Sequence, residues 1–362
     1  MRAVLLTTHY WNSRKKAGFH FIAETLWKRG WEVMFFMVRP TWLEWALRDK
    51  SFQDPLVKER RQLLEVKPRF YSYVWMNPWR PVSLGHPLVN KMTTPFARAF
   101  AHFPVTKNAI EFIRGADLLV FESAPGLMLF DRVKRWNPNA RCVYRVSDDI
   151  RDFRVHPVLL QKEAEIAPRF DLVSVPCEDL VKKFNGLSNV RLQHHGLDLA
   201  LFDRDVPNPY HGASGPHCIF VGNSHLDCDF IERAARLFPT YQFHLIGPFG
   251  EPVKLANVHC YGLIPFSETV PFVKHADVGL NCMTRGTITD SLKIMQYTYC
   301  RLPIVASSLN RCDKPHMFFY EPGDEVSISR AMCDALAFNR ARVPRAAVRS
   351  WDALVNDLLG NP

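Results

Sequence analysis

The sequence predicts an α/β protein of two doubly wound parallel-sheet domains, and three observations carry that expectation. Short apolar runs alternate with amphipathic stretches along most of the chain, which is how strands buried under helices read. The alternation pauses near residues 190–215, where VRLQHHGLDLALFDRDVPNPYHGASGP passes into a Pro/Gly/Asn-rich link that suits a domain boundary. The length, 362 residues, suffices for two ordinary hydrophobic cores without disulfides or metals.

In the first half, residues 1–200, AVLLT (3–7) is the expected first strand. AGFHFIAETLWKR (17–29) sets Ile22 and Leu26 apart from Phe21, Thr25 and Lys28 at helical spacing, and Gly30 ends that helix. EVMFFMV (32–38) follows as a second strand and completes a βαβ unit. Residues 40–104 then break the rhythm: they are rich in Pro, Trp and Arg, and WMNPWRPVSLGHPL (75–88) reads as irregular. An excursion this long inside an α/β domain is usually functional or membrane-facing rather than a plain connector. DLLVFES (117–123), CVYRVS (142–147) and DLVSVP (171–176) restore the rhythm as buried parallel strands.

The second half, residues 215–340, opens with HCIFVGNS (217–224) and continues through QFHLIGP (242–248), NVHCYG (257–262), DVGLNCM (277–283) and LPIVASS (302–308) as strands. Helices are expected at 227–237, 267–275, 290–300 and 325–338, and RAAVRSWDALVNDLL (345–359) reads as one amphipathic helix. Two such halves place ligands in a cleft between the carboxyl ends of their sheets.

Composition narrows the classes. At 47% hydrophobic and 23% charged, the chain is neither disordered nor collagen-like. No run approaches the ~18–20 apolar residues that span a bilayer. The apolar part of MRAVLLTTHYW is too short for a signal peptide, so a cytoplasm-facing protein without a membrane anchor is expected. The nine cysteines contain no CxxC pair, which favours reduced, mostly buried thiols over a metal site or disulfide framework. Charge is uneven. Residues 1–110 carry 18 Lys+Arg against 7 Asp+Glu and seven of the nine Trp, whereas the remainder is nearly neutral. Basic residues interleaved with Trp suit an anionic membrane surface or single-stranded nucleic acid; the plainer alternative is a basic surface over a Trp-rich core.

The chemistry is densest in DSLKIMQYTYCRLPIVASS (290–308). A helix starting near Asp290, with Ser291 close to its cap, presents free N–H groups and a positive dipole end that suit phosphate. Lys293 adds a full charge there, and Gln296, one turn on, suits a ribose. Alone, these would be ordinary surface residues. Their context is FVGNSH (220–225), where Gly222, followed by Asn223 and Ser224, ends a strand and lets backbone approach a phosphate.

From F-V-G (220–222) through L-I-G-P (245–248), H-A-D-V-G-L (275–280) and K-x-x-x-Y (293–297) to L-P-I-V-A-S (302–307), this half resembles the nucleotide-sugar-binding half of GT-B glycosyltransferases. HHGLD (194–198) sits where such enzymes carry an N-G-V-D-like turn, and a final helix crossing back to the first domain would match 345–359. Many members have an acid in place of Gln296, and retaining members pair it with an earlier one; here only Asp290 precedes Lys293. Lys-x-x-Gln beside a basic N-terminal domain resembles the xanthan-pathway GumK glucuronosyltransferase family. That resemblance implies a GT-B fold, two Rossmann-like domains facing each other across a cleft. It also implies UDP-glucuronate as donor; the carboxylate of such a donor needs a cation or a pair of amides, for which Arg285 in the TRGT loop is the first candidate, with Met283 and Leu292 candidates to line the same pocket.

VYRVSDDIRDF (143–153) places Asp148 and Asp149 just after a strand of the first half. Inverting transfer needs a base for the acceptor hydroxyl; in GumK-like enzymes the Asp after Arg-x-Ser has that role, which carries to Asp148, with Asp149 as neighbour or substitute. Either residue would also serve as a plain helix cap. His20 is an alternative base, more often a core histidine, and the adjacent His194 and His195 point apart on extended chain. A helix end and a lysine would meet the departing diphosphate, so no essential metal ion or cofactor is expected.

The resemblance thus implies an inverting, metal-independent glycosyltransferase. Its acceptor would be a polyprenyl-diphosphate-linked oligosaccharide, at the cytoplasmic face of a bacterial inner membrane, in exopolysaccharide synthesis. A nucleotide-sugar 2-epimerase on the same scaffold is the rival enzyme. A nucleic-acid binder is the non-enzymatic rival, but the chain lacks RNP, KH and helix-turn-helix signatures.

Overall fold

The computed structural model of the protein describes the chain apart from residues 14, 15, 48, 49, 211, 213, 223, 224, 286–290, 313, 361 and 362. It divides into two compact units, one of residues 1–194 with 354–362, the other of residues 195–353.

The first unit is built on strands β1 (Arg2–Thr7), β2 (Glu32–Met37), β3 (Leu63–Lys67), β4 (Phe70–Val74), β5 (Leu118–Glu122), β6 (Arg141–Arg145), β7 (Leu172–Val175) and β8 (Val190–Leu192). They lie in the order β3-β4-β2-β1-β5-β6-β7-β8, parallel except for the antiparallel edge pair β3–β4. The chain winds outward from β1 in one direction, then from β5 in the other, so the switch point lies between β1 and β5, where doubly wound sheets bind ligands. Ala3–Leu6 and Leu118–Phe121 are fully or almost fully buried, which is why these strands read as unbroken apolar runs.

Residues 40–104 correct the sequence reading. They hold two strands of the sheet, β3 and β4, and a helix at Pro87–Ala99. The aromatic run FYSYV packs beside β2, and Trp75, just after it, is wholly buried. Proline concealed the helix: Pro87 occupies its first position and Pro95 its interior. The Trp residues divide by place, since Trp31 and Trp75 are core while Trp42 and Trp45 are more than half exposed.

The second unit contains β9 (Gly196–Leu197), β10 (His217–Val221), β11 (Gln242–Ile246), β12 (Val258–Gly262), β13 (Val278–Asn281), β14 (Ile304–Ser307), β15 (Met317–Tyr320) and β16 (Arg349–Ser350). Six of them form an all-parallel sheet, β12-β11-β10-β13-β14-β15, whose switch point lies between β10 and β13. Its helices include Cys228–Leu237, Phe266–His275, Leu292–Tyr299 and Glu325–Ala337. The expected single helix over 345–359 is shorter: a 3-10 turn at Arg345–Ala347 and β16 precede a helix of Trp351–Leu359. β16 pairs with β9, and the cause is local. A Cβ on Gly196 would stand 2.6 Å from the Trp351 backbone, so only glycine admits this approach.

No disulfide joins the nine cysteines, and four of them (Cys142, Cys177, Cys218 and Cys282) are buried. Among the described residues, no helix is long and apolar enough to cross a membrane.

Candidate active-site residues in each unit

The second unit's candidate site is built where β10 and β13 part. The two strands pair only at Cys218–Val278 and Ile219–Gly279, leaving their carboxyl ends split. Tyr297 fills the split. Its hydroxyl accepts the Val221 N–H at 3.1 Å and donates to the Ile219 carbonyl at 3.1 Å, which pins the helix Leu292–Tyr299 under the strand end. This gives the K-x-x-x-Y spacing a physical reason, because Lys293 stands one turn before Tyr297 on the same helix face. Beyond the split the loops rejoin, with Asp227 N–H on the Cys282 carbonyl at 3.1 Å and Thr284 N–H on the His225 carbonyl at 2.8 Å.

Lys293 Nζ lies 3.2 Å from Met283 Sδ and 4.3 Å from the centre of the Phe220 ring. It has no carboxylate partner among the described residues, and burial pushes its pKa down to about 8. Gly222 faces it, since a Cβ there would reach 3.7 Å from Nζ and 2.7 Å from the Phe220 ring. Two polar atoms on the helix, Ser291 Oγ and Gln296 Oε1, are buried without a hydrogen-bond partner among the described residues, as is Asn281 Oδ1 at the end of β13. A bound polar ligand is a natural source of such missing partners.

Of the residues expected from sequence, the structure brings Gly222 and Met283 to Lys293, and sets Ser291 and Gln296 at the start and on the next turn of the same helix. Leu292 is half-buried at the first helical position, and Ser291 is the N-cap residue by backbone although its hydroxyl makes no cap bond. Arg285 is exposed, two residues beyond Met283. Asn223, Ser224 and Asp290 lie outside the described residues.

In the first unit, Asp148 follows β6 and lines a cleft of about 390 Å³ beside the switch point, together with His9, Arg39, Arg80, Glu122 and Arg154. Its backbone N–H and that of Ser147 both donate to Ser123 Oγ at 3.1 Å, which fixes the loop. Asp149 is occupied differently. Its carboxylate accepts Arg151 N–H at 2.9 Å, the Arg151 guanidinium at 2.6 and 2.9 Å, and Lys183 Nζ at 2.9 Å. Burial pushes its pKa up, but these donors prevail and hold it at about 2. Such a carboxylate caps the turn Ile150–Asp152 and takes no proton near neutral pH.

His20, the alternative base, is a structural residue. Nδ1 accepts the Ala17 N–H at 3.1 Å, Nε2 donates to the Tyr10 carbonyl at 2.8 Å, and burial lowers its pKa to about 4.

Residues 5–176 match the family described as the N-terminal domain of glucuronosyltransferase GumK. The UDP-glucuronate:glycolipid 2-beta-glucuronosyltransferase of Xanthomonas campestris pv. campestris is 27% identical over 346 residues, 94% of this chain and 85% of that protein. Sucrose-phosphate synthase from Thermosynechococcus elongatus superposes with a TM-score of 0.66 at 15% identity, over 99% of this chain and 98% of its own. An alpha,alpha-trehalose-phosphate synthase from Burkholderia xenovorans superposes with a TM-score of 0.62 at 10% identity, over 99% of both chains. The chain is a GT-B glycosyltransferase. The two solved structures speak for the fold alone, and the family match and the Xanthomonas relative for the enzyme class.

One feature of this glycosyltransferase escaped the sequence. Glu122, the last residue of β5, is 4% exposed and lies between Thr7, Thr8, His9 and Ser147. A lone acid ending the apolar run LLVFE was the available signal, because a buried carboxylate must be paired.

Proposed function

We propose that this glycosyltransferase moves glucuronate from UDP-glucuronate, with inversion and without a metal ion, to a hydroxyl of a polyprenyl-diphosphate-linked oligosaccharide. The observation that carries the donor half is Lys293, a partly covered ammonium without a carboxylate partner among the described residues, beside Gly222 at the switch point. A diphosphate supplies the missing counter-charge. Gln296 and Ser291 offer the nucleoside oxygens that have no partner among the described residues, Met283 and Leu292 line the pocket, and Asn223 and Ser224, next in sequence to Gly222, complete the donor set. Arg285 meets the glucuronate carboxylate.

In the reaction, the acceptor oxygen attacks the anomeric carbon from the face opposite the diphosphate, and its proton passes to the Asp148 carboxylate. The bond from that carbon to the phosphate oxygen breaks, and the electron pair leaves with UDP. Lys293 and the N-terminal N–H groups of the helix Leu292–Tyr299 stabilise the departing charge, the work a divalent ion performs elsewhere. Titration calorimetry in EDTA tests this. UDP-glucuronate is expected to bind at least ~10-fold more tightly than UDP-glucose, from its extra charge-assisted contact, and GDP-mannose not at all. Absence of UDP binding would refute the donor site.

On the acceptor side of this reading, the protein works at the cytoplasmic face of the membrane, and its exposed apolar residues support that. Leu88, Val89, Met92 and Phe96 leave the helix Pro87–Ala99 on its exposed side, and Trp42, Trp45 and Leu47 are exposed around Leu43, which lines one groove with Phe96. A groove of about 350 Å³ lined by Leu43, Trp79, Val82, Leu84 and Phe96 shares Arg80–Val82 with the Asp148 cleft. An apolar surface with basic residues suits anionic lipid. Flotation with vesicles containing phosphatidylglycerol is expected to carry the protein, and the triple substitution Trp42→Ser, Trp45→Ser, Met92→Ser to abolish most of that recovery. Equal recovery on neutral and anionic vesicles would count against the electrostatic part.

A further inference from the structure

Glu122 ends an apolar strand, and donors from two other strand ends surround its carboxylate. Thr7 Oγ1 donates at 2.7 Å and Thr8 N–H at 3.0 Å from the end of β1, His9 Nε2 lies at 3.1 Å, and Ser147 Oγ at 3.4 Å. Burial pushes the pKa of Glu122 up; His9, Thr7 and Thr8 outweigh it and hold the group at about 2, so it is an anion throughout the working range. The next residue, Ser123, accepts the backbone N–H of Asp148. His9 is 36% exposed and lines the same cleft as Asp148, so a fixed buried charge stands directly behind a half-open imidazole.

We propose that His9, oriented by Glu122, is a second side chain that contacts the acceptor hydroxyl beside Asp148, with Glu122 as the positioning residue for both. The inference rests on the reading of Asp148 as base. While the hydroxyl proton passes to Asp148 and the new C–O bond forms, His9 as an imidazolium, with Nε2–H held by Glu122, donates its other N–H to a lone pair of the acceptor oxygen and holds it in line. Among the described residues, the other charged or titratable groups facing this corner include His20, whose ring centre is 5.6 Å from that of His9, Tyr144, whose hydroxyl feels the Glu122 charge, and Arg39, Arg80 and Arg154 on the cleft wall. His20 is held neutral near pH 7, because burial keeps its pKa at about 4. The site is a pair acting as one unit, in the way a carboxylate orients histidine in hydrolytic triads.

The test uses the full chain with His9→Asn, Glu122→Gln and the double variant. UDP-glucuronate is the donor, and phytanyl-diphosphate-linked mono- to trisaccharides are the acceptor probes. Each single variant is expected to lower kcat/KM for the acceptor roughly 10–100-fold, with UDP affinity unchanged. The double variant is expected to fall no further than the worse single one, as for residues that work together. In Glu122→Gln the acid limb of the kcat/KM profile is expected to move to lower pH, because removing a negative charge lowers its neighbours' proton affinity. Additive losses in the double variant, or a lower Tm for Glu122→Gln with an unmoved acid limb, would show a structural role only. Should His9→Asn turn over like the wild type while Asp148→Asn does not, the pair is refuted and the base assignment stands. Should UDP fail to bind the wild type, the functional reading falls and this inference with it.

Discussion

Replacing Asp148 with Asn is expected to leave UDP binding intact and to lower turnover ~10²–10⁴-fold, the usual worth of a positioned base. The amide keeps the carboxylate's shape, and the backbone N–H of residue 148 keeps its bond to Ser123 Oγ, so the loss reports proton transfer rather than collapse of the loop. Asp149→Asn is the internal contrast. Its carboxylate is tied to Lys183 and Arg151, and removing one side of a buried pair costs about 1–3 kcal/mol of stability. Turnover per folded molecule is expected to survive. The pH dependence follows from a carboxyl lowered from 3.8 to about 2 in the folded chain. Its stabilisation is complete above pH ~4 and vanishes as pH falls through ~2, so wild type and Asp149→Asn should converge in thermal stability there. Loss of turnover in Asp149→Asn but not in Asp148→Asn would exchange the two roles.

Lys293→Met is expected to weaken UDP-glucuronate binding roughly 10–100-fold, the worth of one or two charge-assisted hydrogen bonds. The ligand-free Tm should hold or rise, because methionine removes a partly covered charge with no carboxylate partner among the described residues. Donor affinity of the wild type should decline as pH rises above about 8, where the free enzyme's Lys293 loses its proton. Binding above that pH should take up a proton, measurable by calorimetry in buffers of different ionisation enthalpy. The folding side has the opposite sign. A lysine lowered from 10.5 to about 8 is charged in the unfolded chain but neutral in the native one between those values, so this group makes stability increase across that window. The methionine variant should lack that increment. Unchanged affinity in the variant would refute the donor assignment.

The strands around both switch points were legible because strands buried on both faces of a parallel sheet are continuous apolar runs. β4 was not, since Pro, Arg and Trp on either side of FYSYV dominate the local signal, although aromatic residues favour strands. The helix Pro87–Ala99 was hidden by its two prolines. At the sites, Gly222, Lys293 and Gln296 could be read because one strand end and one helical turn bring them together. Asp148 and Asp149 looked interchangeable, because the residue that separates them, Lys183, lies 34 positions away. Glu122 meets Thr7 and Thr8 across more than 110 residues, a pairing no local pattern contains.

The last turns of the chain bear on how it is made. Leu354–Pro362 belong to the first unit, where Arg29 holds Asn356 Oδ1 at 2.7 Å and Arg141 holds the Leu358 carbonyl at 3.0 Å. A ribosome therefore delivers the final piece of the unit it began with only after the whole second unit has been synthesised. The N-terminal unit must wait through that interval incomplete, and domains otherwise tend to fold in order of synthesis. Truncation before residue 354 is therefore expected to lower the stability of the first unit, because it removes the contacts made to Arg29 and Arg141.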